Sequence, residues 1–162
     1  MSEEIKLFEK AKNLHFSGKI KEAQKLYLKL IKSHKDNHIL NYLLGTTLLQ
    51  IENYYEAIKY FDKSIKLNPN LSDAYNNKGI ALNKIEKYNE SIQNYNQAIK
   101  LKKDFFDAYL NKGISFKNLK EYNKAIDCFE YCIKLKPGDP KIYNNLGNLN
   151  KEIKNYEKAI KY

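Results

Sequence analysis

Arginine is absent from this sequence, and all 29 of its basic residues are lysine. The formal net charge of +10 would ordinarily suggest a nucleic acid or an anionic membrane surface as the partner. The planar guanidinium of arginine is, however, the usual group that reads phosphate and guanine. We therefore expect no specific nucleic-acid recognition, and any residual binding to nucleic acid should be weak and abolished by salt.

Cysteine, long apolar runs and a leader-like start are also scarce or missing. Cys128 and Cys132 are the only two cysteines, too few for a disulfide scaffold and suited to a reducing compartment. No run approaches the roughly 18 apolar residues of a membrane-spanning helix, and the acidic, amphipathic start MSEEIKLFEK is unlike a signal peptide. These features predict a cytoplasmic protein with no membrane insertion.

What the sequence does have is an internal repeat. Gly45, Gly79, Gly113 and Gly147 recur at one constant interval, and a tyrosine follows each glycine at the same distance. Small residues and then aromatic residues follow each tyrosine at fixed spacing. Apolar residues recur at helical spacing on both sides of each tyrosine, so each period predicts a helical hairpin. We expect small residues to let the helices approach closely and aromatic rings to fill the gaps between hairpins.

This series resembles the tetratricopeptide-repeat family, whose 34-residue signature runs from aromatic and glycine to alanine, aromatic, alanine and proline. The resemblance covers nearly the whole chain and implies an all-α, right-handed α-solenoid of stacked antiparallel helical hairpins. It frames a single domain, 1–162, with repeats at 4–37, 38–71, 72–105, 106–139 and an incomplete 140–162. Lysines replace the usual leucine at Lys78 and Lys112.

The incomplete fifth repeat carries an expectation of its own. It stops at Tyr162, before the later packing columns of a second helix and without a polar capping helix. We expect the sequence to be a fragment of a longer chain. We also expect 155–162 to be frayed or to support self-association through its apolar face.

Residues that could support catalysis or metal binding do not converge. His34 and His38 are four apart, but SHKDNH bridges two repeats where a turn is expected. Cys132 stands in the column of Ser64 and Ala98, so a small buried residue explains it better than a ligand or a redox pair. The sequence has no glycine-rich phosphate loop and no nucleophile elbow. We expect no enzyme activity, no cofactor and no metal.

In tetratricopeptide solenoids the first helix of each repeat lines a concave groove, and the resemblance carries that geometry to this chain. The first two repeats place mainly apolar residues there, including Ile5, Phe8, Ile39 and Tyr42, and the later repeats place polar ones. The predicted peptide-binding residues are Phe8, Tyr42, Asp73, Asn76, Asn77, Lys84, Asp107, Asn111, Lys117, Lys141, Asn144, Asn145 and Asn148.

Asn77, Asn111 and Asn145 form a column without an evident packing duty. An asparagine amide both donates and accepts, so a row of them can pair with the backbone of an extended peptide. The column is similar to the asparagine ladder of protein O-GlcNAc transferases. Composition is the competing explanation, because asparagine is abundant throughout the chain.

These observations lead to three functional hypotheses. The first is a non-catalytic interaction module that binds an extended peptide or a partner protein in its groove. The second is the substrate-presenting arm of a larger transferase, a glycosyltransferase or sulfotransferase, with a catalytic domain after residue 162. The third is a basic RNA-binding solenoid, although the lysines on the second helices are better explained as a solvated face.

Overall fold

Helices of 13 or 14 residues follow one another with short connections between them. The computed structural model describes residues 3–154, and the expectations made for 155–162 lie outside these residues. Within this range the helices are α1 Glu3–Phe16, α2 Ile20–Ser33, α3 His38–Gln50, α4 Tyr54–Leu67, α5 Ser72–Lys84, α6 Tyr88–Leu101, α7 Phe106–Asn118, α8 Tyr122–Leu135 and α9 Pro140–Glu152. The starts of α3, α5, α7 and α9 are separated by the same interval as the glycines of the repeat.

A turn of one recurring conformation follows each odd-numbered helix in residues 3–154. One residue there is left-handed, and these residues are Gly18, Glu52, Glu86, Lys120 and Lys154, again evenly spaced, with φ between 59° and 78°. At α5 the N–H of Glu86 donates to the carbonyl of Asn83 (3.0 Å), and that of Lys87 donates to the carbonyl of Leu82 (2.9 Å). These are the two bonds of a Schellman motif, in which glycine is the usual residue at the left-handed position. Four of the five turns therefore hold a charged residue in a strained conformation.

The glycine column accommodates aromatic rings from within its own hairpin. A Cβ atom built on Gly79 would lie 2.5 Å from Cε1 of Tyr95, and Gly45 and Gly113 face Phe61 and Phe129 in the same way at 2.6 Å. The repeat pattern predicts that the aromatic rings fill the gaps between hairpins, and this prediction is wrong in its detail. The glycine makes room for the ring of the second helix, and this ring is buried inside the hairpin instead of filling only the gap between hairpins.

The hairpins stack into an all-α solenoid with two layers of helices. Each helix packs on the next one, and in addition α3 contacts α5, α5 contacts α7, and α7 contacts α9. No neighbouring pair of even-numbered helices among those described packs comparably. Helices on the concave side of an arc lie closer together than those on the convex side, so the odd-numbered helices form the concave layer. None of the helices in residues 3–154 is long and apolar enough to cross a membrane.

Candidate functional site

Side chains of successive odd-numbered helices meet on the concave layer, and we call the surface that they form the inner face. Four side-chain contacts connect these helices in order. They are His15 with Gln50 (2.9 Å), Asn77 with Tyr42 (3.3 Å), Asn111 with Asn76 (3.2 Å), and Lys117 with Glu152 (3.8 Å). The inner face is therefore connected by polar side-chain contacts from α1 to α9.

The centre of the inner face is a chain of amides. Asn111 Nδ2 on α7 donates to Asn76 Oδ1 on α5 (3.2 Å), and Asn76 Nδ2 donates to Asn77 Oδ1 (3.2 Å). Asn77 Nδ2 then donates to the hydroxyl of Tyr42 on α3 (3.3 Å). We call these four residues the asparagine chain. Asn76 is 6% exposed, while the other three are partly exposed.

The asparagine chain keeps unused hydrogen-bonding capacity. An amide has two N–H groups and an oxygen with two lone pairs, and each amide here uses one N–H in the chain. At one end the Tyr42 hydroxyl accepts from Asn77 and still carries a proton. Burial, followed by the charge of Asp73, raises the pKa of Tyr42, against the opposite effect of hydrogen bonds with Thr46 and Asn77. Tyr42 therefore remains a hydroxyl donor at neutral pH.

Asn145 does not join the asparagine chain. Its Nδ2 donates to the carbonyl of Lys141 in its own helix (2.8 Å). Asn144, Asn148 and Lys141 are exposed on α9. The structure thus brings together two members of the predicted column, with Asn76 and Tyr42, and places the third separately.

Charged residues flank the asparagine chain. Asp73 and Asp107 are exposed in the first turns of α5 and α7, and Lys84 is exposed in the last turn of α5. Lys117 is half-buried and reaches Glu152 across the gap between α7 and α9. Asp73 and Asp107 form no ion pair with any residue in 3–154.

The other end of the inner face is apolar. Between α1 and α3 lies a pocket of about 250 Å³ lined by Ile5, Phe8, Ile39 and Leu40 together with Leu30, Asn37 and the side chains of Glu4 and His34, whose Oε2 and Nε2 atoms are 3.6 Å apart. Ile5 and Ile39 are 50% and 47% exposed. Phe8 is partly buried against Tyr27, with a centroid separation of 6.3 Å, and Lys12 Nζ lies 5.5 Å from its ring centroid.

A buried hydroxyl cluster below the inner face was not predicted from the sequence. Ser115 is fully buried, and its Oγ accepts from Asn83 Nδ2 (2.6 Å) and contacts Ser91 Oγ (2.8 Å). Asn83 stands in the inner-face column one repeat after Leu49. One feature of the sequence could have indicated this cluster. Thr47, which also carries a hydroxyl, occupies the position equivalent to Ser115 two repeats earlier.

His34 and His38 lie at helix ends, and Cys128 and Cys132 lie in the core. His34 is the C-cap of α2 and His38 is the first residue of α3, so the two do not share a helix, as predicted. Cys128 and Cys132 are buried free thiols on α8. Burial raises the pKa of Cys128 to about 11 and that of Cys132 to about 12, which keeps both protonated and poorly nucleophilic. No group of three or more metal-ligating side chains occurs in the part of the chain that the structure describes.

Sequence comparison with protein families finds one repeat throughout most of the chain. The family model described as "Tetratricopeptide repeat" matches residues 40–71 and 106–139, and a second model of that description matches 60–93 and 128–161. A model described as "TPR repeat" matches 81–120. Together these matches extend from residue 40 to residue 161. No curated protein sequence matches the chain.

Solved structures give the same fold. A crystal structure of MamA is 27% identical to this chain, with a TM-score of 0.84, and the alignment covers 94% of this chain and 89% of that one. MamA from Desulfovibrio magneticus RS-1 is 23% identical, with a TM-score of 0.88 and coverage of 99% and 92%. YrrB, a TPR protein with an unusual peptide-binding site, is 21% identical, with a TM-score of 0.77 and coverage of 96% and 80%. The latter two likenesses concern the fold alone.

Proposed function

The chain belongs to the tetratricopeptide-repeat family, and we propose that it is a non-catalytic interaction module whose inner face binds an extended segment of a partner protein. The observation that carries this proposal is the asparagine chain, which extends across three consecutive odd-numbered helices on a partly exposed surface. The fold likeness to YrrB, a TPR protein with a peptide-binding site, supports the same class of ligand.

The mechanism follows from amide chemistry. An extended peptide presents N–H and C=O groups along its length, and the free N–H groups and oxygen lone pairs of Asn77 and Asn111 can pair with them whatever the peptide's side chains. Because the amides already bond to one another, their orientation is fixed before a peptide arrives. Less side-chain entropy is then lost on binding. The asparagine ladder that the sequence pattern resembles would work by the same principle.

Asn145 has a different role in this proposal. Its amide donates one N–H to the carbonyl of Lys141 in its own helix and is not oriented by an amide of the neighbouring repeat. We therefore expect Asn77 and Asn111 to contribute more to peptide affinity than Asn145 does.

The test begins with selection of peptides from a random 12-residue phage library on the immobilised protein. Fluorescence polarisation then measures the affinity of a selected peptide for the triple variant Asn77→Ala/Asn111→Ala/Asn145→Ala. Each net hydrogen bond contributes about 0.5–1.5 kcal/mol, so we expect affinity to fall at least about tenfold.

The matched control is the triple variant Asn89→Ala/Asn96→Ala/Asn123→Ala, since these are exposed asparagines on the second helices. It should bind like the unchanged protein. Equal affinity of the two triple variants, with thermal unfolding showing both to be folded, would refute binding by the asparagine chain.

A further inference from the structure

One set of equivalent positions on the inner face changes from apolar to charged residues along the solenoid. The second residue of the first four repeats is Ile5, Ile39, Asp73 and Asp107, and that of the fifth is Lys141. The first two line the apolar pocket between α1 and α3, and the next two are exposed carboxylates on α5 and α7. The same rim of the inner face is therefore apolar at one end and acidic further along.

The pocket has room for one large side chain. Its volume of about 250 Å³ corresponds to roughly eight water molecules. Water in such a pocket would contact mainly Ile5, Phe8, Ile39 and Leu40, and its replacement by an apolar side chain is favourable. The pocket is thus suited to anchor a leucine, methionine or phenylalanine side chain.

The two carboxylates carry exposed negative charge on the inner face, which a basic group of a bound peptide can meet. Some acidic residues in 3–154 have lysine partners, for example Asp62 with Lys78 (2.6 Å) and Glu152 with Lys117 (3.8 Å), while others, such as Asp127 and Glu130, have none. Asp73 and Asp107 have none within the described range, although the chain carries 29 lysines. Their position in the first helical turn is favourable for the helix dipole, which stabilises a carboxylate there.

The spacing between helices predicts how far apart the recognised side chains lie along the sequence of a bound peptide. Packed helices lie about 8–10 Å apart, and an extended peptide advances about 3.3 Å per residue, so one helix corresponds to about three peptide residues. The pocket lies between α1 and α3, about one and a half helix spacings from Asp73. A side chain anchored in the pocket is therefore about four residues from the peptide position opposite Asp73 and about seven from that opposite Asp107.

We propose that the inner face selects an extended peptide that carries one large apolar side chain and, about four and seven residues further toward α7, two lysines or arginines. The apolar side chain occupies the pocket between α1 and α3, the basic side chains meet Asp73 and Asp107, and the asparagine chain holds the backbone between them. This inference rests on the proposed function, to which it adds the class of peptide recognised.

The test compares peptide selections on three proteins with the same random 12-residue phage library. The first is the unchanged protein, the second is Asp73→Lys/Asp107→Lys, and the third is the control Asp127→Lys/Glu130→Lys on α8, where both residues are exposed on the outer layer. We expect the unchanged protein and the control to enrich the apolar-then-basic pattern. The inner-face variant should keep the apolar anchor and exchange the basic residues for acidic ones.

Fluorescence polarisation with one selected peptide supplies a quantitative readout. Replacing a single aspartate by the isosteric Asp73→Asn or Asp107→Asn should weaken binding about two- to fivefold, because exposed ion pairs are individually weak. The loss should diminish as salt is raised. Substitution of the peptide's apolar residue by alanine should weaken binding at least about tenfold.

The outcomes separate this inference from the proposed function. Peptides that lose affinity for the triple asparagine variant but show no basic preference, or that bind both aspartate variants unchanged, would overturn the specificity and leave the groove function standing. Selected peptides indifferent to both sets of substitutions would overturn both.

Discussion

Tyr95 on α6 and Ser115 on α7 interact across the boundary between the third and fourth hairpins: burial raises the pKa of Tyr95, and hydrogen bonding of its hydroxyl with Ser115 opposes that rise. Tyr95 belongs to the column of aromatic residues that also contains Tyr27, Phe61 and Phe129. The residue at the corresponding position in the next hairpin differs according to whether the aromatic ring carries a hydroxyl. For Tyr95 it is Ser115, whereas the equivalent position for Phe61 is Ala81. A ring with a hydroxyl is thus matched by a hydroxyl in the following repeat, and a ring without one is matched by an apolar residue.

Tyr27 also belongs to this column, but its hydroxyl does not bond to the hydroxyl at the corresponding position in the next hairpin. Thr47 stands at the equivalent position for Tyr27, but its hydroxyl donates to the carbonyl of Leu44 (2.9 Å). The Tyr27 hydroxyl is buried and has no hydrogen-bond partner among residues 3–154. Burial, together with the charge of Glu9, raises the pKa of Tyr27 to about 12.

The two tyrosines should therefore respond differently to loss of the hydroxyl. Tyr95→Phe removes a made bond and should lower the free energy of unfolding by about 0.5–1.5 kcal/mol. Tyr27→Phe removes a buried group without a partner in the described range and should leave the free energy unchanged or raise it by up to about 1 kcal/mol. Urea denaturation of both variants measures the difference. An equal loss at both sites would contradict this description of the column.

The turn residue of each hairpin gives a second prediction. Glu86→Gly should raise the free energy of unfolding by about 0.5–1 kcal/mol, since a left-handed side-chain residue costs about 1–2 kcal/mol and glycine's extra entropy offsets part of the gain. Gln93→Gly, at an exposed position in the interior of α6, should instead lower it by about 1 kcal/mol. The same denaturation measurement checks both. Destabilisation by Glu86→Gly would show that its side chain contributes more than its backbone strain costs.

The buried thiols predict a dependence of stability on pH. The folded-state pKa values of Cys128 and Cys132 are raised to about 11 and about 12 from the unfolded value near 9. The unfolded state therefore loses its thiol protons first as pH rises, and the free energy of unfolding should fall between about pH 9 and about pH 12. Part of this fall should vanish in Cys128→Ala/Cys132→Ala. A slope that is identical in the variant would mean that the thiols do not contribute.

The basic surface gives a prediction about nucleic acid. A fluorescently labelled RNA should bind weakly at low salt, because lysine supplies charge without directional readout, and should dissociate at physiological ionic strength. Fluorescence anisotropy over a salt series with several RNA sequences measures this. Sequence-dependent binding that persists at about 0.15 M salt would instead favour the RNA-binding hypothesis.

The repeat was predictable from the sequence because its packing is local. The columns of glycine and aromatic residues recur at one interval, and the helix starts at His38, Ser72, Phe106 and Pro140 have the same period. Packing within a hairpin joins residues that are close in the sequence, as with Gly79 and Tyr95, so a single period contains the information.

The arrangement of the site was less predictable because it depends on contacts between hairpins. The sequence placed Asn77, Asn111 and Asn145 in one column but gave no indication that Asn111 bonds to Asn76 or that Asn145 turns to Lys141. The direction of an amide depends on which neighbour in the next repeat offers an acceptor. Such choices vary from repeat to repeat even where the backbone does not.

Nuclear magnetic resonance with a selected peptide tests the central claim most directly. Spectra that record backbone and asparagine side-chain amides would be collected as the peptide is added. We expect the largest shifts at the side-chain amides of Asn77 and Asn111 and at the backbone of α3, α5 and α7, with little change on α4, α6 and α8. Shifts concentrated on the even-numbered helices, with the asparagine chain unaffected, would contradict recognition by the inner face.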